Sequence, residues 1–262
     1  MTDLPRFIGM VHLPPLPGSP RREQSLAECE ARALNDALCL AEGGADALII
    51  ENYGDAPFRP GRVDPHTVAS MTRIALRIRD AVALPIGINV LRNDAISALG
   101  IAHAVGASFI RVNILTGAMA TDQGVITGEA DRLMRLRREL RATGIKVFGD
   151  VLVKHAAPLA PQSIEDAVED AVFRGLADAV IVSGSATGKA TRPEVVLQAV
   201  NAARGTPVYV GSGVTAGTVG MLVPPATGVI VGTGIKKGGI VDEPVDIDRV
   251  RVFAQALSRT AF

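Results

Sequence analysis

Residues 43–52, Gly-Gly-Ala-Asp-Ala-Leu-Ile-Ile-Glu-Asn, contain the pattern that decides the fold. Two glycines end a helical segment, a short turn follows, and an apolar run then stops at polar Glu51 and Asn52. A run that is apolar at every position is typical of a parallel strand buried on both faces. Residues 106–108 (Gly-Ala-Ser) and 176–178 (Leu-Ala-Asp) precede two further runs of this kind. The sequence therefore predicts a repeated unit of helix, tight turn and buried strand.

Eight such runs occur along the chain, and helix-start patterns stand between them. Ser25 and Glu28 form a capping-box pair, and Asp64-Pro65 places an N-cap before a first-turn proline. Eight strands with eight following helices predict one domain over residues 1–262, a (β/α)8 or TIM barrel, rather than a doubly wound open sheet. The predicted strands are 7–11, 47–51, 86–90, 108–112, 146–151, 178–183, 208–211 and 228–231.

The composition argues against nucleic acid as a partner. Basic and acidic residues number 27 each, aromatic residues make up 3%, and tryptophan is absent. The chain thus lacks both the positive charge that attracts a polyanion and the ring surfaces on which bases stack. A local anion site stays open, because it depends on geometry rather than on net charge.

The expected location is cytoplasmic. The N-terminus has no recognisable signal peptide. Cys29 and Cys39 would lie about 15 Å apart along one helix, too far for a disulfide, which suits a reducing compartment. Residues 207–235 carry no charge, but Pro224-Pro225 and several glycines interrupt them. They are predicted to form strand, short helix and strand rather than a membrane span.

Long segments follow several predicted strands, whereas the turns that precede strands are short. The long segments are 12–24, 52–63 and 113–128. In a barrel they all lie at the carboxyl ends of the strands, which is the end that carries active sites. We therefore expect the functional site at this rim.

A phosphate site is predicted after the last two strands. Glycine-rich loops there let backbone N–H groups approach an anion, and barrels commonly bind phosphate at this position. A lysine after strand eight can add a full charge. The predicted phosphate-binding residues are Gly211, Ser212, Gly213, Gly232, Thr233 and Lys236. Residues 183–189 resemble a P-loop but lack its first glycine, so Ser183 and Thr187 are predicted only as ligand contacts.

Polar residues at the other strand ends are candidates for catalysis. Glu51 and Asp150 are predicted as acid–base carboxylates or ligands of a divalent metal. Lys154 is predicted as a general acid–base or as an electrophilic lysine that forms a Schiff base. His12 and His155 are the candidates for proton transfer, because imidazole titrates near neutrality.

Further strand-end residues are predicted to bind the ligand or to support the rim. They are Asn52, Asn89, Arg92, Arg111 and Asn113. Asn89 and Asn113 can instead satisfy the rim backbone, and Arg111 can instead pair with Asp150 or Glu51. No zinc motif occurs, whereas Mg²⁺ held by carboxylates and a ligand phosphate stays open; no other cofactor is predicted.

Seven segments together resemble the BtpA/SgcQ family over nearly the whole chain. They are 8–18, 44–55, 87–94, 110–113, 121–124, 153–155 and 210–215, which include Met-Val-His-Leu-Pro-Pro-Leu-Pro-Gly at 10–18 and Val-Gly-Ser-Gly-Val-Thr at 210–215. The family is named for a cyanobacterial factor needed for photosystem I accumulation and for a bacterial protein from a sugar-utilisation gene cluster. The resemblance implies a TIM barrel but transfers no catalytic residues.

Two functions are therefore expected. The first is an enzyme that isomerises, cleaves or hydrolyses a phosphorylated sugar or nucleoside derivative, and its partner is a small phosphorylated ligand. The alternative is a non-catalytic biogenesis factor for photosystem I or another membrane complex. A homo-oligomer is left open in both cases.

Overall fold

Eight parallel strands close into a barrel in the computed structural model, which describes residues 4–153, 155–184 and 191–260. The barrel strands are β1 (Phe7–His12), β2 (Ala47–Glu51), β3 (Ile86–Asn89), β4 (Phe109–Val112), β7 (Lys146–Val151), β9 (Ala179–Ser183), β10 (Val208–Gly211) and β11 (Gly228–Val231). Three further strands, β5 (Ala118–Thr121), β6 (Gly124–Thr127) and β8 (Ala156–Pro158), form a separate sheet. The predicted (β/α)8 barrel is confirmed, and each predicted strand end is within one residue of its observed position.

Helices cover the outside of the barrel. They are α1 (Leu26–Gly43), α2 (Pro65–Ala81), α3 (Ala95–Val105), α4 (Ala130–Glu139), α5 (Ile164–Glu169), α6 (Pro193–Ala202) and α7 (Ile247–Ser258). The expectation of a full helix after every strand is wrong for β10. Residues 212–227 contain only the 3-10 turn Val219–Met221, because Gly217 and Gly220 disfavour a helix and Pro224-Pro225 cannot continue one.

The helix caps of α1 and α2 agree only in part with those predicted from the sequence. The Ser25 hydroxyl accepts from the Glu28 N–H at 3.2 Å, and the Glu28 carboxylate accepts from the Ser25 N–H at 2.7 Å, so the capping box is confirmed. Asp64 stands at the N-cap of α2, but its carboxylate accepts from the Arg59 guanidinium at 2.8 Å instead of from the helix. A negative charge near the helix start remains favourable in either arrangement.

The core has two parts, one inside the barrel and one between the strands and helices. The inner part contains the stacked rings of Phe109, Phe148 and Tyr209, whose neighbouring centroids lie 4.7 and 5.1 Å apart. Burial raises the pKa of the Tyr209 hydroxyl, so that group stays protonated. The outer part is continuous from α1 around the barrel to α7. The apolar interior thus fills the lower barrel and leaves the carboxyl end for polar side chains.

The small sheet lies at the carboxyl end of the barrel, in segments the sequence predicted only as loops. β5 pairs antiparallel with both β6 and β8, which joins the segment after β4 to the segment after β7. A cluster of Ile114, Met119, Ile126 and Val153 packs beneath it. Since a two-stranded hairpin alone is marginal in water, this apolar cluster and the third strand are what stabilise it.

Two further expectations concern the helices. Cys29 and Cys39 are both free thiols in α1, as their spacing predicts, and burial raises the pKa of each. Within the described ranges, no helix has the length and apolar character needed to cross a membrane.

Candidate active site at the carboxyl end of the barrel

The inward-facing positions of the strands change from apolar to polar in the last layer. Side chains alternate between the two faces of a strand, so the interior residue after Met10 is His12, and the one after Ile49 is Glu51. The strand register places His12 beside Glu51, Glu51 beside Asn89, and Asn89 beside Arg111. These residues, with Asp150 on β7, form the polar layer, which is buried throughout apart from the partly buried His12.

Arg111 and Asp150 form the shortest charged contact of the polar layer. Arg111 donates through Nε to Asp150 Oδ1 at 2.9 Å and through Nη2 to Oδ2 at 2.8 Å. Asn113 donates to the same Oδ2 at 3.2 Å. Burial lowers the pKa of Arg111, but Asp150 and Glu51 outweigh it and raise the pKa overall. Asp150 was predicted as an acid–base or metal-binding carboxylate; in the structure both of its oxygens accept hydrogen bonds within the polar layer, and it does not line the cavity described below.

His12 and Glu51 lie next to each other at the mouth of the barrel. His12 Nε2 is 3.7 Å from Glu51 Oε1, and Arg111 Nη1 is 3.8 Å from Glu51 Oε2. The His12 ring stacks on Tyr53 with centroids 4.7 Å apart, which fixes the plane of the imidazole. A carboxylate, an imidazole and a guanidinium in this arrangement can accept a proton, donate one and stabilise a developing negative charge.

Two asparagines predicted as ligand contacts make hydrogen bonds within the protein. Asn52 accepts from the Leu91 N–H at 2.7 Å and donates to Asp55 at 3.1 Å, and it joins the loops after β2 and β3. Asn89 donates to the Arg111 carbonyl and to Asn113 Oδ1 at 3.0 and 3.1 Å. Both therefore support the rim, and neither lines the cavity described next.

A cavity of about 940 Å³ opens at this end of the barrel. Polar residues after the first five barrel strands line one side: His12, Glu51, Arg92, Arg111, Asn113 and His155. Two glycine-rich loops line the other: loop seven, residues 212–218 after β10, and loop eight, residues 232–246 after β11. The two parts of the rim that the sequence predicted separately thus face one space. Tyr53 and Phe58 also line it, although their loop carried no aromatic pattern that predicted a site.

Loops seven and eight approach each other closely. Ser212 and Gly213 both have left-handed backbones, with φ of 72° and 70°. A Cβ on Gly234 would lie 3.2 Å from the Val214 carbonyl oxygen, so only glycine fits there without displacement. Thr233 and Gly234 begin the 3-10 turn Thr233–Ile235, and the first N–H groups of such a turn have no acceptor within it. This geometry suits an anion.

The structure corrects the prediction that Lys236 binds the phosphate. Its ammonium does not face loop seven but is fully buried, where Nζ donates to Asp36 Oδ2 at 2.8 Å. Asp36 Oδ1 accepts from the Val245 N–H at 2.8 Å. Burial lowers the pKa of Lys236, and Asp36 opposes this. The pair fixes loop eight on α1, so Lys236 supports the loop instead of supplying charge to an anion.

Of the other predicted site residues, some lie away from the cavity and some fall outside the described residues. Gly211 and Ser183 face each other at the ends of β10 and β9 but do not line the cavity. Lys154 and Thr187 lie outside the described residues. No group of three His, Cys, Asp or Glu side chains within the described ranges could hold a metal ion. Any Mg²⁺ in this part of the rim would therefore complete its coordination shell with oxygens of water or of a bound ligand.

Comparison with known proteins identifies the family. The model of the BtpA family matches residues 5–259. The chain belongs to the BtpA family. This BtpA-family protein is 51% identical over 251 residues to the photosystem I biogenesis protein BtpA of Synechocystis, an alignment that covers 96% of the chain and 87% of the relative. It is 49% identical to an uncharacterised protein of Thermococcus kodakarensis, over 94% of the chain and 92% of the relative.

Solved structures support the fold of this BtpA-family protein. N-(5'-phosphoribosyl)anthranilate isomerase from Pyrococcus furiosus aligns with a TM-score of 0.58 over 97% of this chain and 98% of its own. The sequence identity is 16%, so the similarity concerns the barrel alone.

The ion pair between Lys236 and Asp36 generates a stability prediction. Replacing Asp36 by Ala leaves an uncompensated ammonium in the core, which should lower the free energy of unfolding by about 3–5 kcal/mol. Replacing Glu169 by Ala removes the exposed pair with Arg204, whose side chains are 46% and 67% exposed, and should cost less than about 1 kcal/mol. Urea unfolding followed by circular dichroism measures both.

The double variant Asp36→Leu, Lys236→Met is the control for charge. It removes both charges, although it also leaves the Val245 N–H without its acceptor, so it should recover part of the loss. If Asp36→Ala costs no more than Glu169→Ala, the ion pair does not hold loop eight.

Proposed function

We propose that this BtpA-family protein is an enzyme that binds a phosphorylated sugar or nucleoside-type ligand at the carboxyl end of its barrel. The phosphate binds between loops seven and eight, and the reacting carbon atoms lie over His12 and Glu51. One observation carries the proposal: the same cavity is lined by the two glycine-rich loops, by the partly buried imidazole of His12, and by the buried Glu51 carboxylate and Arg111 guanidinium. Binding and proton transfer thus have adjoining sites.

The conformation of loops seven and eight supports a phosphate site between them. Left-handed Ser212 and Gly213 and the start of the 3-10 turn at Thr233 supply backbone N–H groups on two sides of one gap. Phosphate sites of TIM barrels commonly use these same two loops. The similar barrel from Pyrococcus furiosus is, by its name, an isomerase of a phosphoribosyl compound.

The charge and burial of the groups around Glu51 support a proton-transfer site at the other part of the cavity. Glu51 is 5% exposed, and His12 and Arg111 lie within 4 Å of its two oxygens. Glu51 and His12 move the proton, and Arg111, oriented by Asp150, stabilises an oxyanion on the substrate. Isomerisation and aldol-type cleavage of a hydroxy-carbonyl compound need both steps, and hydrolysis is the third reaction that these groups can catalyse. His155 lines the same cavity and is a further proton-transfer candidate.

A biogenesis factor is the second candidate, and one observation favours it. The Synechocystis relative, at 51% identity, is named for photosystem I biogenesis. A factor of this kind would act through its outer surface, and the cavity would need no ligand. Binding experiments with the cavity therefore separate the two functions.

Phosphorylated ligands should stabilise the native protein. At a concentration 100 times Kd, a ligand adds about 2.7 kcal/mol, which raises the melting temperature of a chain of this size by roughly 5–10 °C. Thermal shifts with a panel of sugar phosphates and nucleotides should include such a rise, and the unphosphorylated sugars should give none. Thr233→Asp adds a negative charge at the gap and should weaken binding at least tenfold.

Thr143→Asp is the matched control, since it adds the same charge in an exposed turn at the opposite end of the barrel. It should leave every shift unchanged. A panel without any shift, with and without Mg²⁺, would contradict the proposed function and favour the biogenesis factor.

Turnover should depend on the Glu51 carboxylate. Ligands that bind are incubated with the protein and followed by proton and phosphorus NMR. Glu51→Gln retains the shape of the side chain, so it should keep ligand affinity and lower the rate by about 10²–10⁴-fold, the usual contribution of general acid–base catalysis. Glu30→Gln, on the outer side of α1 beside Arg73, should leave the rate unchanged. Equal rates for Glu51→Gln and the unmodified protein would remove Glu51 from the mechanism.

A further inference from the structure

Arg92 is a second buried cation of the cavity, on the side opposite the phosphate loops. It follows β3, and β3 stands four places from β10 in the closed eight-strand barrel, which is directly across it. Its side chain is 8% exposed and lines the cavity. Loops seven and eight therefore lie at one end of the space and the Arg92 guanidinium at the other.

The loop that carries Arg92 is held on both sides. The Arg92 N–H donates to the Arg59 carbonyl at 3.2 Å. The next residue, Asn93, accepts from the Ile114 N–H at 2.7 Å and donates to the Ile114 carbonyl at 2.9 Å. Arg92 Nη2 donates to the His155 carbonyl at 3.4 Å. The guanidinium is thus pre-oriented at the cavity wall, as a binding group should be.

The polar layer has the opposite character. Of its two carboxylates, Glu51 lines the cavity and Asp150 does not, and its guanidinium is that of Arg111. Two of the Arg111 nitrogens are engaged by Asp150, and the third, Nη1, lies 3.8 Å from Glu51. A permanently charged anionic group is disfavoured beside the Glu51 carboxylate, whereas hydroxyl groups of a ligand can donate to it.

Two other arginines that line the cavity are less suited to hold an anion. Arg21 is exposed in the segment after β1. Arg249 is on α7, 45% exposed, with Nε 3.8 Å from Asp246. An ion pair with an exposed side chain is screened by water and contributes little, while a buried guanidinium keeps most of its strength.

The carboxylate beside Arg92 is weakly placed to compete with a ligand. Asp122, in the turn between β5 and β6, lies 4.0 Å from Arg92 Nε and is 60% exposed. A cavity of about 940 Å³ lies near the upper end of the usual range for small-ligand sites, about 300–1,000 Å³. A ligand anchored at one phosphate alone would leave the Arg92 end filled only with solvent.

We propose that the ligand carries an oxyanion group at each end, one between loops seven and eight and one on Arg92, with an uncharged hydroxylated segment over Glu51. Sugar bisphosphates and phosphosugar carboxylates have this chemistry. The inference rests on the proposed function and narrows it, because it excludes simple monophosphates as the preferred substrates. Arg92 then determines which ligands bind, by selecting those with an oxyanion group at the end opposite the phosphate.

Matched ligand pairs test the second anion. Isothermal titration calorimetry compares fructose 6-phosphate with fructose 1,6-bisphosphate, ribulose 5-phosphate with ribulose 1,5-bisphosphate, and glucose 6-phosphate with 6-phosphogluconate. In at least one pair the doubly anionic member should bind ten times or more tightly than its partner. The sugar pairs distinguish a second phosphate from a carboxylate.

Substitutions test whether Arg92 causes the preference for the doubly anionic ligand. Arg92→Gln should remove the tenfold preference and leave the affinity for the monophosphate unchanged, and Arg92→Lys should restore part of the preference. Arg59→Gln, an exposed arginine of the same rim that does not line the cavity, should change neither affinity. Melting temperatures without ligand check that each variant is folded.

The two proposals fail differently. If neither member of any pair binds, the proposed function fails with this inference. If both members of every pair bind equally, or if Arg92→Gln weakens both members by the same factor, the two-anion ligand is wrong while the phosphate site stands.

Discussion

The hydrogen-bonded pair between Arg111 and Asp150 is the interaction on which the polar end of the barrel depends. A buried guanidinium is costly without a partner, and Asp150 supplies two parallel hydrogen bonds at 2.9 and 2.8 Å. With two of its nitrogens fixed, Arg111 directs the third toward Glu51. The same pair also fixes Asn113, and through it Asn89. The contacts of Glu51, Asn113 and Asn89 thus all connect to this one pair.

The strands were predictable from the sequence because burial on both faces leaves an unmistakable apolar run. The polar layer was also predictable in outline, since alternation along a strand puts His12, Glu51 and Arg111 on the inner face. What no local pattern contains is the partner of each polar group. Lys236 lies in glycine-rich loop eight, where a phosphate-binding lysine is expected, yet its side chain pairs with Asp36, two hundred positions earlier in the chain. Asn52 likewise bonds to a neighbouring loop.

Irregular segments were predicted least well, for physical reasons. β5 and β6 are four residues each and are stabilised by β8 and by packing on Val153, so their strand character depends on distant residues. After β10 the expected helix is reduced to a three-residue 3-10 turn, because Gly217, Gly220 and Pro224-Pro225 all fall in the segment where the helix would form. Tertiary contacts decide such segments, and propensity alone does not.

The two parts of the rim, the glycine-rich loops and the polar strand ends, share one cavity. The glycine-rich loops and the acid–base groups were separate predictions, and both line the same cavity. The barrel beneath positions each group, and the charges of Glu51, Arg111 and Arg92 around the cavity are the basis for the ligand that we propose. Family membership is compatible with this account and names no reaction.

The most direct test of the ligand site is a crystal structure with the phosphorylated compound that raises the melting temperature most. The account predicts a phosphate within about 2.7–3.2 Å of the N–H groups of Gly213 and Gly234, with the carbon chain over Glu51. A phosphate bound elsewhere on the protein, or a cavity that holds only solvent at saturating ligand, would contradict it.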